Sequence, residues 1–205
     1  VIVKENLTVE NMQSIAYENN LSETAYVNIT SSPYLIRWFT PTVEVDLCGH
    51  ATLASARVLF DEYLPSGCSQ VTFNSRKRGT LTAFKKSDMI YLDFPADQPE
   101  EVEQNNFIIE GLGEKPVKTY RGKDDYLAVF DDEEIIRTMT PNFKMLSQLD
   151  SRGLIITAPG KEVDFVSRFF SPQSGVDEDP VTGSAYTLMV PYWHDILGKK
   201  KFAAR

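Results

Sequence analysis

Glu23 stands in the turn Leu21-Ser22-Glu23, between a predicted helix and a predicted strand. A carboxylate there is either a solvated turn residue, as most glutamates are, or an acid/base able to take a proton from a substrate and return it. His50 falls in the first turn of an apolar helix that opens at Gly49. Near a positive helix end a neutral imidazole is favoured and suits proton relay, and the bland alternative is a half-buried histidine satisfied by its neighbours. Cys48 immediately precedes Gly49, where a thiolate would gain from the helix N-terminus. Farther on, Asp179 follows Glu178 and precedes a second helix start at Gly183, where an acid either complements the dipole or handles protons. Thr182 and Ser184 set hydroxyls on either side of Gly183, whose missing side chain lets a ligand approach closely.

These two groups of residues sit in copies of one unit. Arg37-Trp38-Phe39-Thr40-Pro41, Val45-Asp46 and Gly49-His50-Ala51 are answered by Arg168-Phe169-Phe170-Ser171-Pro172, Val176-Asp177 and Gly183-Ser184-Ala185. The offset is 131 residues from Arg37/Arg168 to Asp46/Asp177, after which three extra residues intrude. Each copy reads as an extended segment stopped by proline, an acidic turn and a helix starting at glycine. Two such starts facing one another across a pseudo-twofold axis would aim free backbone N–H groups at one cleft and bind a small anion there. The duplication also isolates Glu23, because the matching region, Gly153-Leu154-Ile155-Ile156, carries no carboxylate.

The elements that must hold these residues follow from periodicity and caps. Thr8 to Asn19 reads as a helix with Thr8 as N-cap and Met12, Ile15 and Ala16 on one face. Strands are expected at Thr24 to Ile29, Leu35 to Thr40, Gln70 to Asn74, Gly79 to Lys85 and Met89 to Phe94. The helix from Gly49 to about Tyr63 is apolar on most faces, which predicts burial all round inside a curved sheet. The Pro-rich and acidic stretch Ala96 to Gln104 is the expected boundary. Beyond it come strands at Tyr126 to Phe130, Gly153 to Ala158 and Phe165 to Phe170, a helix from Thr140 to Leu149, and a second apolar helix from Gly183 to about Leu197, interrupted at Pro191. The fold class is therefore α+β, with two pseudo-symmetric half-barrels, each a mixed sheet wrapped around a central apolar helix. The first spans 1–96 and the second 97–205.

Composition narrows the partners. Over 205 residues, 42% hydrophobic with 12 Phe and 9 Tyr, a substantial core can form and global disorder is disfavoured. A net charge of −8 leaves no basic surface for nucleic acid, which needs clustered Lys and Arg. No run of about 18 apolar residues is present, so no membrane span is expected. Two cysteines, Cys48 and Cys68, cannot make a disulfide framework, and a reducing cytoplasmic setting fits. His50 and His194 lack ligand spacing, so no metal is expected, and the absence of any nucleotide-binding glycine loop leaves no cofactor motif. The chain opens within the apolar run Val1-Ile2-Val3 and stops soon after a helix, so further elements are expected at both ends.

Three stretches together resemble the phenazine-biosynthesis PhzF-like family, which shares its fold with diaminopimelate epimerase: Asn20 to Tyr26, Arg37 to Pro41 through Cys48-Gly49-His50-Ala51-Thr52, and Phe170-Ser171-Pro172 through Glu178-Asp179-Pro180-Val181-Thr182-Gly183-Ser184-Ala185. The resemblance implies a cofactor-free isomerase moving a proton on a small carboxylate, with an N-terminal strand and Asn-Pro turn before Val1 and further strands after Arg205. It places the family's acid/base glutamate on Glu23, its histidine on His50, and its aspartate and serine on Asp179 and Ser184; on the helix-start reading, Gly49, Gly183 and Thr182 bind substrate beside them. A homodimer is implied on the same footing. The epimerase branch has a cysteine before each helix-start glycine, whereas here Thr182 replaces the second, so a two-thiol mechanism is not available. A single-thiol epimerase or racemase using Cys48 and a non-catalytic small-anion binder are the alternatives.

Overall fold

The computed structural model describes residues Val1–Arg205, which fall into two units dividing between Pro95 and Ala96. In the first unit, β1 (Ile2–Val3), α1 (Val9–Asn19), β2 (Thr24–Asn28), β3 (Tyr34–Phe39), β4 (Glu44–Val45), α2 (Gly49–Val58), β5 (Gln70–Ser75), β6 (Gly79–Lys86) and β7 (Met89–Asp93) follow in order. The sheet runs β1-β2-β3-β5-β6-β7, and β4 pairs with the far end of β3. Thr8 caps α1 as expected, its Oγ1 accepting the Asn11 amide at 3.2 Å, and Asn20 ends it in the left-handed conformation that asparagine tolerates.

Strand alternation decides which side chain meets which helix. Ile36 and Trp38 of β3 enter the core around α2 with Val27, while Phe39 and Tyr26 pack with Met12 and Ala16 of α1. The central strands are thus covered on both faces, which is why they read as nearly continuous apolar runs. α2 touches both β2 and β7, strands four places apart in the sheet. The sheet therefore curves around the helix, without closing into a barrel.

The second unit repeats this plan with β8 (Glu100–Val102), α3 (Asn106–Leu112), β9 (Lys118–Arg121), β10 (Asp125–Val129), α4 (Glu133–Thr138), α5 (Phe143–Leu146), β11 (Gly153–Pro159), β12 (Phe165–Ser171), β13 (Val176–Asp179) and α6 (Tyr186–Leu197). Its sheet order is β13-β12-β11-β10-β9-β8. Phe165, Phe169 and Ile155 pack on Leu188, Met189 and Trp193 of α6. Leu154, Ile156 and Phe170 pack on the opposite face with Ile108, Ile136 and Leu146 from α3, α4 and α5. The parallel pairing of β3 with β5, starting at Tyr34↔Phe73, has its counterpart in the parallel bridge Phe165↔Ala204.

Strand register corrects the alignment of the two copies. β3 and β4 pair as Trp38↔Val45 and Phe39↔Glu44, and β12 and β13 as Phe169↔Asp179 and Phe170↔Glu178. Glu178 is therefore the counterpart of Glu44, and Asp179 that of Val45. The three extra residues lie before β13, in the 3-10 turn Pro172–Ser174 and its exit at Gly175, and not after Asp177. From Glu44/Glu178 to Gly49/Gly183 the offset is a constant 134. The equivalence has a chemical signature. Arg37 clamps Glu44 with Nε–Oε1 2.6 Å and Nη2–Oε2 2.7 Å, and Arg168 clamps Glu178 with 2.7 and 2.8 Å.

Other elements differ from the expected ones. α2 is not buried all round: Leu53 and Val58 are exposed, and Ile15 of α1 also faces solvent. The last turn toward Tyr63 is a π-turn over Leu59–Tyr63. Gly183 opens a 3-10 turn, Gly183–Ala185, before α6 begins, and α6 continues through Pro191 unbroken. The helix expected from Thr140 to Leu149 is only the single turn α5, because Pro141 and the Asn142 cap delay its start. α3 and α4, of 7 and 6 residues, are too short to show periodicity. No helix is long and apolar enough to cross a membrane.

Candidate active site

The first unit brings Glu23, Cys48 and His50 together. Glu23 is the residue immediately before β2, and Cys48 and His50 flank Gly49 at the start of α2. The first intrahelical bond of α2 runs from Thr52 N to Cys48 O at 3.2 Å, so the amides of Gly49, His50 and Ala51 precede the helical ladder. His50 Nε2 lies 3.2 Å from Glu23 Oε2, 3.4 Å from Ser22 Oγ and 3.8 Å from Cys48 Sγ. Glu23 Oε2 is fully buried, yet no donor is aligned with it for a hydrogen bond. The contact with His50 is thus an ion pair that leaves a carboxylate lone pair unspent.

Electrostatics here departs from the sequence-based expectation for His50. Burial alone pushes the Glu23 carboxyl up, but the neighbouring His50, with Ser22 and Cys48, outweighs it and holds the group below its ordinary value. His50 was expected to be neutral near the helix end. Its contacts with Cys48 and Glu23 outweigh burial and push it up to about 11. Burial meanwhile raises the Cys48 thiol, and Glu23 is the carboxylate that faces the imidazolium beside the Cys48 contact that contributes most to its shift. Proximity of opposite charges overrides both burial and the helix end. The resting arrangement is a carboxylate beside a cation, a deprotonated acid/base whose proton affinity the cation lowers.

In the second unit Asp179 ends β13 and braces the turn that follows: Oδ1 accepts the Val181 amide at 3.1 Å and Oδ2 accepts the Thr182 hydroxyl at 2.6 Å. Thr182 accordingly spends its proton within the turn. Ser184 is buried, and its Oγ accepts from Arg152 Nη1 at 2.9 Å. That bond leaves the Ser184 hydroxyl proton to be donated elsewhere. Arg152 in turn is clamped by buried Asp125, with Nε–Oδ1 at 2.9 Å.

Comparison with known proteins matches the phenazine biosynthesis-like protein family over residues 1–204. The chain belongs to the PhzC-PhzF family. Among its relatives, an uncharacterized isomerase of Halalkalibacterium halodurans is 47% identical over 196 residues, 94% of this chain and 74% of that protein. The crystal structure of a PhzF-family protein of Enterococcus faecalis superposes with a TM-score of 0.87 at 43% identity, covering 99% of this chain and 77% of that one. A Pseudomonas aeruginosa protein described as a predicted epimerase, at 15% identity and TM-score 0.72 over 98% of this chain and 77% of that one, shares the fold.

Within this PhzC-PhzF unit the register explains Glu23. Thr24 pairs with Phe39 and Leu154 with Phe170, so Gly153 is the counterpart of Glu23 and Arg152 that of Ser22. His50 and Ser184 are likewise counterparts, at the offset of 134. The contact Ser22–His50 in one copy is therefore the contact Arg152–Ser184 in the other. Sequence reasoning missed Ser22, Asp125 and Arg152. Ser22 and Asp125 are polar residues with no pattern of their own in the sequence, and Arg152 becomes visible only once β11 is aligned on β2.

Proposed function

We propose that the protein is a cofactor-independent isomerase in which Glu23 removes a proton from an activated carbon of a small carboxylate and returns it to another. The observation that carries this reading is the buried, ionised Glu23, with one unspent oxygen and a cation beside it. In the step, the C–H electron pair shifts into the conjugated substrate while the proton passes to Glu23. Reprotonation at the second carbon restores the carboxylate, so the net change is a moved hydrogen and a moved double bond. The His50 imidazolium stabilises the charge on whichever partner is anionic. In the first unit the amides at Gly49 and His50, which precede the helical ladder, offer donors to the substrate carboxylate; in the second, Asp179 and Thr182 brace the turn before Gly183, and Ser184 keeps a hydroxyl proton to donate. A small-molecule racemisation through Cys48 is disfavoured by its raised thiol and by Thr182 at the counterpart position. Relatives bearing isomerase names support the reaction class.

The test is exchange of solvent deuterium into candidate cyclic and amino carboxylates. Glu23→Gln is expected to lower exchange by at least about 10²-fold, the smaller end of what a positioned acid/base contributes, with an unchanged circular dichroism spectrum. Full exchange activity in that variant refutes the assignment. Cys48→Ser retaining activity excludes the thiol reading.

A further inference from the structure

The cluster that carries the proposed base also has the composition of a metal site. Glu23, Cys48 and His50 offer a carboxylate oxygen, a thiol sulfur and an imidazole nitrogen, all within 4.8 Å of one another. Tetrahedral zinc, with bonds of about 2.0–2.2 Å to oxygen and nitrogen and about 2.3 Å to sulfur, holds such atoms roughly 3.3–3.6 Å apart. The observed His50–Glu23 and His50–Cys48 separations of 3.2 and 3.8 Å need only small side-chain adjustments to meet it. The backbone already fixes two of the donors, since Cys48 and His50 are separated by Gly49 alone at the start of α2. The third donor, Glu23 Oε2, is buried without an aligned hydrogen-bond partner, and buried polar atoms normally have one.

We propose that Glu23, Cys48 and His50 form a three-ligand site for a soft divalent cation, zinc above all, whose fourth position is filled by water. Binding displaces the thiol proton of Cys48 and the proton on His50 Nε2 to solvent, zinc sheds all of its hydration shell but one water as it takes S, N and O, and no oxidation state changes. Thiolate and imidazole together select zinc over magnesium or calcium, which prefer all-oxygen shells. Metal binding itself does not depend on the proposed isomerase reading. Its consequence does: zinc on Glu23 occupies the lone pair that would accept the substrate proton, so the cation is an inhibitor and not a cofactor.

Titration of the full chain with cobalt(II), in the absence of any substrate, separates the two. One equivalent is expected to give a thiolate-to-cobalt charge-transfer band and the intense d–d bands of tetrahedral coordination, both abolished by zinc. Cys48→Ser and Cys48→Ala should both lose the charge-transfer band, while Cys68→Ser keeps it. Glu23→Gln and His50→Gln should weaken binding by at least about tenfold, since even the outer hydrogen-bond partners of metal ligands are worth 10–100-fold in affinity. No cobalt band, a band surviving both Cys48 substitutions, or a band lost with Cys68 overturns the site. If the bands follow this pattern but added zinc leaves deuterium exchange untouched, the site stands as a metal site and its inhibitory role falls.

Discussion

Gly153, the first residue of β11, is the counterpart in the second unit of Glu23, which immediately precedes β2 in the first. A Cβ added at Gly153 would meet Phe169 Cζ at 2.3 Å and the Phe170 carbonyl oxygen at 2.8 Å. Phe169 is the counterpart of Trp38, and its ring lies over the strand end where the first unit makes room for a carboxylate. The asymmetry of the candidate site is thus built into packing: one copy has space for an acid and the other has none.

The first prediction follows directly. Gly153→Ala should destabilise the protein by about 1–3 kcal/mol, the usual penalty for forcing extra volume into a packed position, and Gly153→Glu by more. Urea unfolding measures it. A midpoint unchanged in Gly153→Ala would show that Phe169 has somewhere else to go and that packing does not exclude the acid.

The Glu23–His50 pair makes stability depend on pH in a defined window. Glu23 is lowered from 4.5, so its contribution is present above pH 4.5 and lost as pH falls through the depressed folded value. His50 is raised from 6.5 to about 11, so its contribution is complete below pH 6.5 and lost progressively as pH rises toward 11. Both are in full force only between pH 4.5 and 6.5. The difference in melting temperature between the native chain and Glu23→Gln should be largest there and shrink on either side. A difference flat from pH 4 to 9 contradicts the ion pair.

The Arg–Glu clamps carry a third prediction. Arg37 is buried, and its partner Glu44 is one-third exposed, so Glu44→Gln strands a buried guanidinium. The cost is about 3 kcal/mol, the lower end of the range for breaking a buried pair because Glu44 retains some solvent. Glu178→Gln should cost less, since Arg168 is more exposed than Arg37 and also donates to the Ile136 and Met139 carbonyls. Chemical denaturation of the two variants side by side tests the ranking, and equal losses would defeat it.

How much of this was legible beforehand depends on what each feature leaves in a sequence. The Thr8 cap, the proline stops after Thr40 and Ser171 and the glycine starts at Gly49 and Gly183 are local, and local chemistry reads directly. The pairing of Glu44 with Arg37 is also close in sequence, but a Val-Asp dipeptide shared by Val45-Asp46 and Val176-Asp177 masked the true counterpart, Glu178. Only strand register distinguishes the two alignments. Glu23 stands out through the duplication and His50 through its helix end, and neither argument contains the other residue. α3 and α4 left a different trace: Asn105 and Asp132 each accept an amide two residues on, a capping signal that helices of one to two turns show when periodicity cannot.

The last prediction concerns Asp125, whose carboxylate is almost wholly buried against Arg152. Asp125→Asn should cost about 3–5 kcal/mol, because it removes the anion from a buried pair and leaves the cation in place. Arg152→Lys should not preserve stability, since an ammonium cannot hold both Asp125 oxygens and reach Ser184 Oγ as the planar guanidinium does. The two substitutions act on one network, so their effects should be strongly non-additive, and the double variant should be more stable than the sum of the single losses implies. Thermal unfolding of the four proteins in the cycle measures that coupling. Strict additivity would mean that Arg152 positions Ser184 without help from Asp125, and the deuterium-exchange activity of Asp125→Asn should then equal that of the native chain.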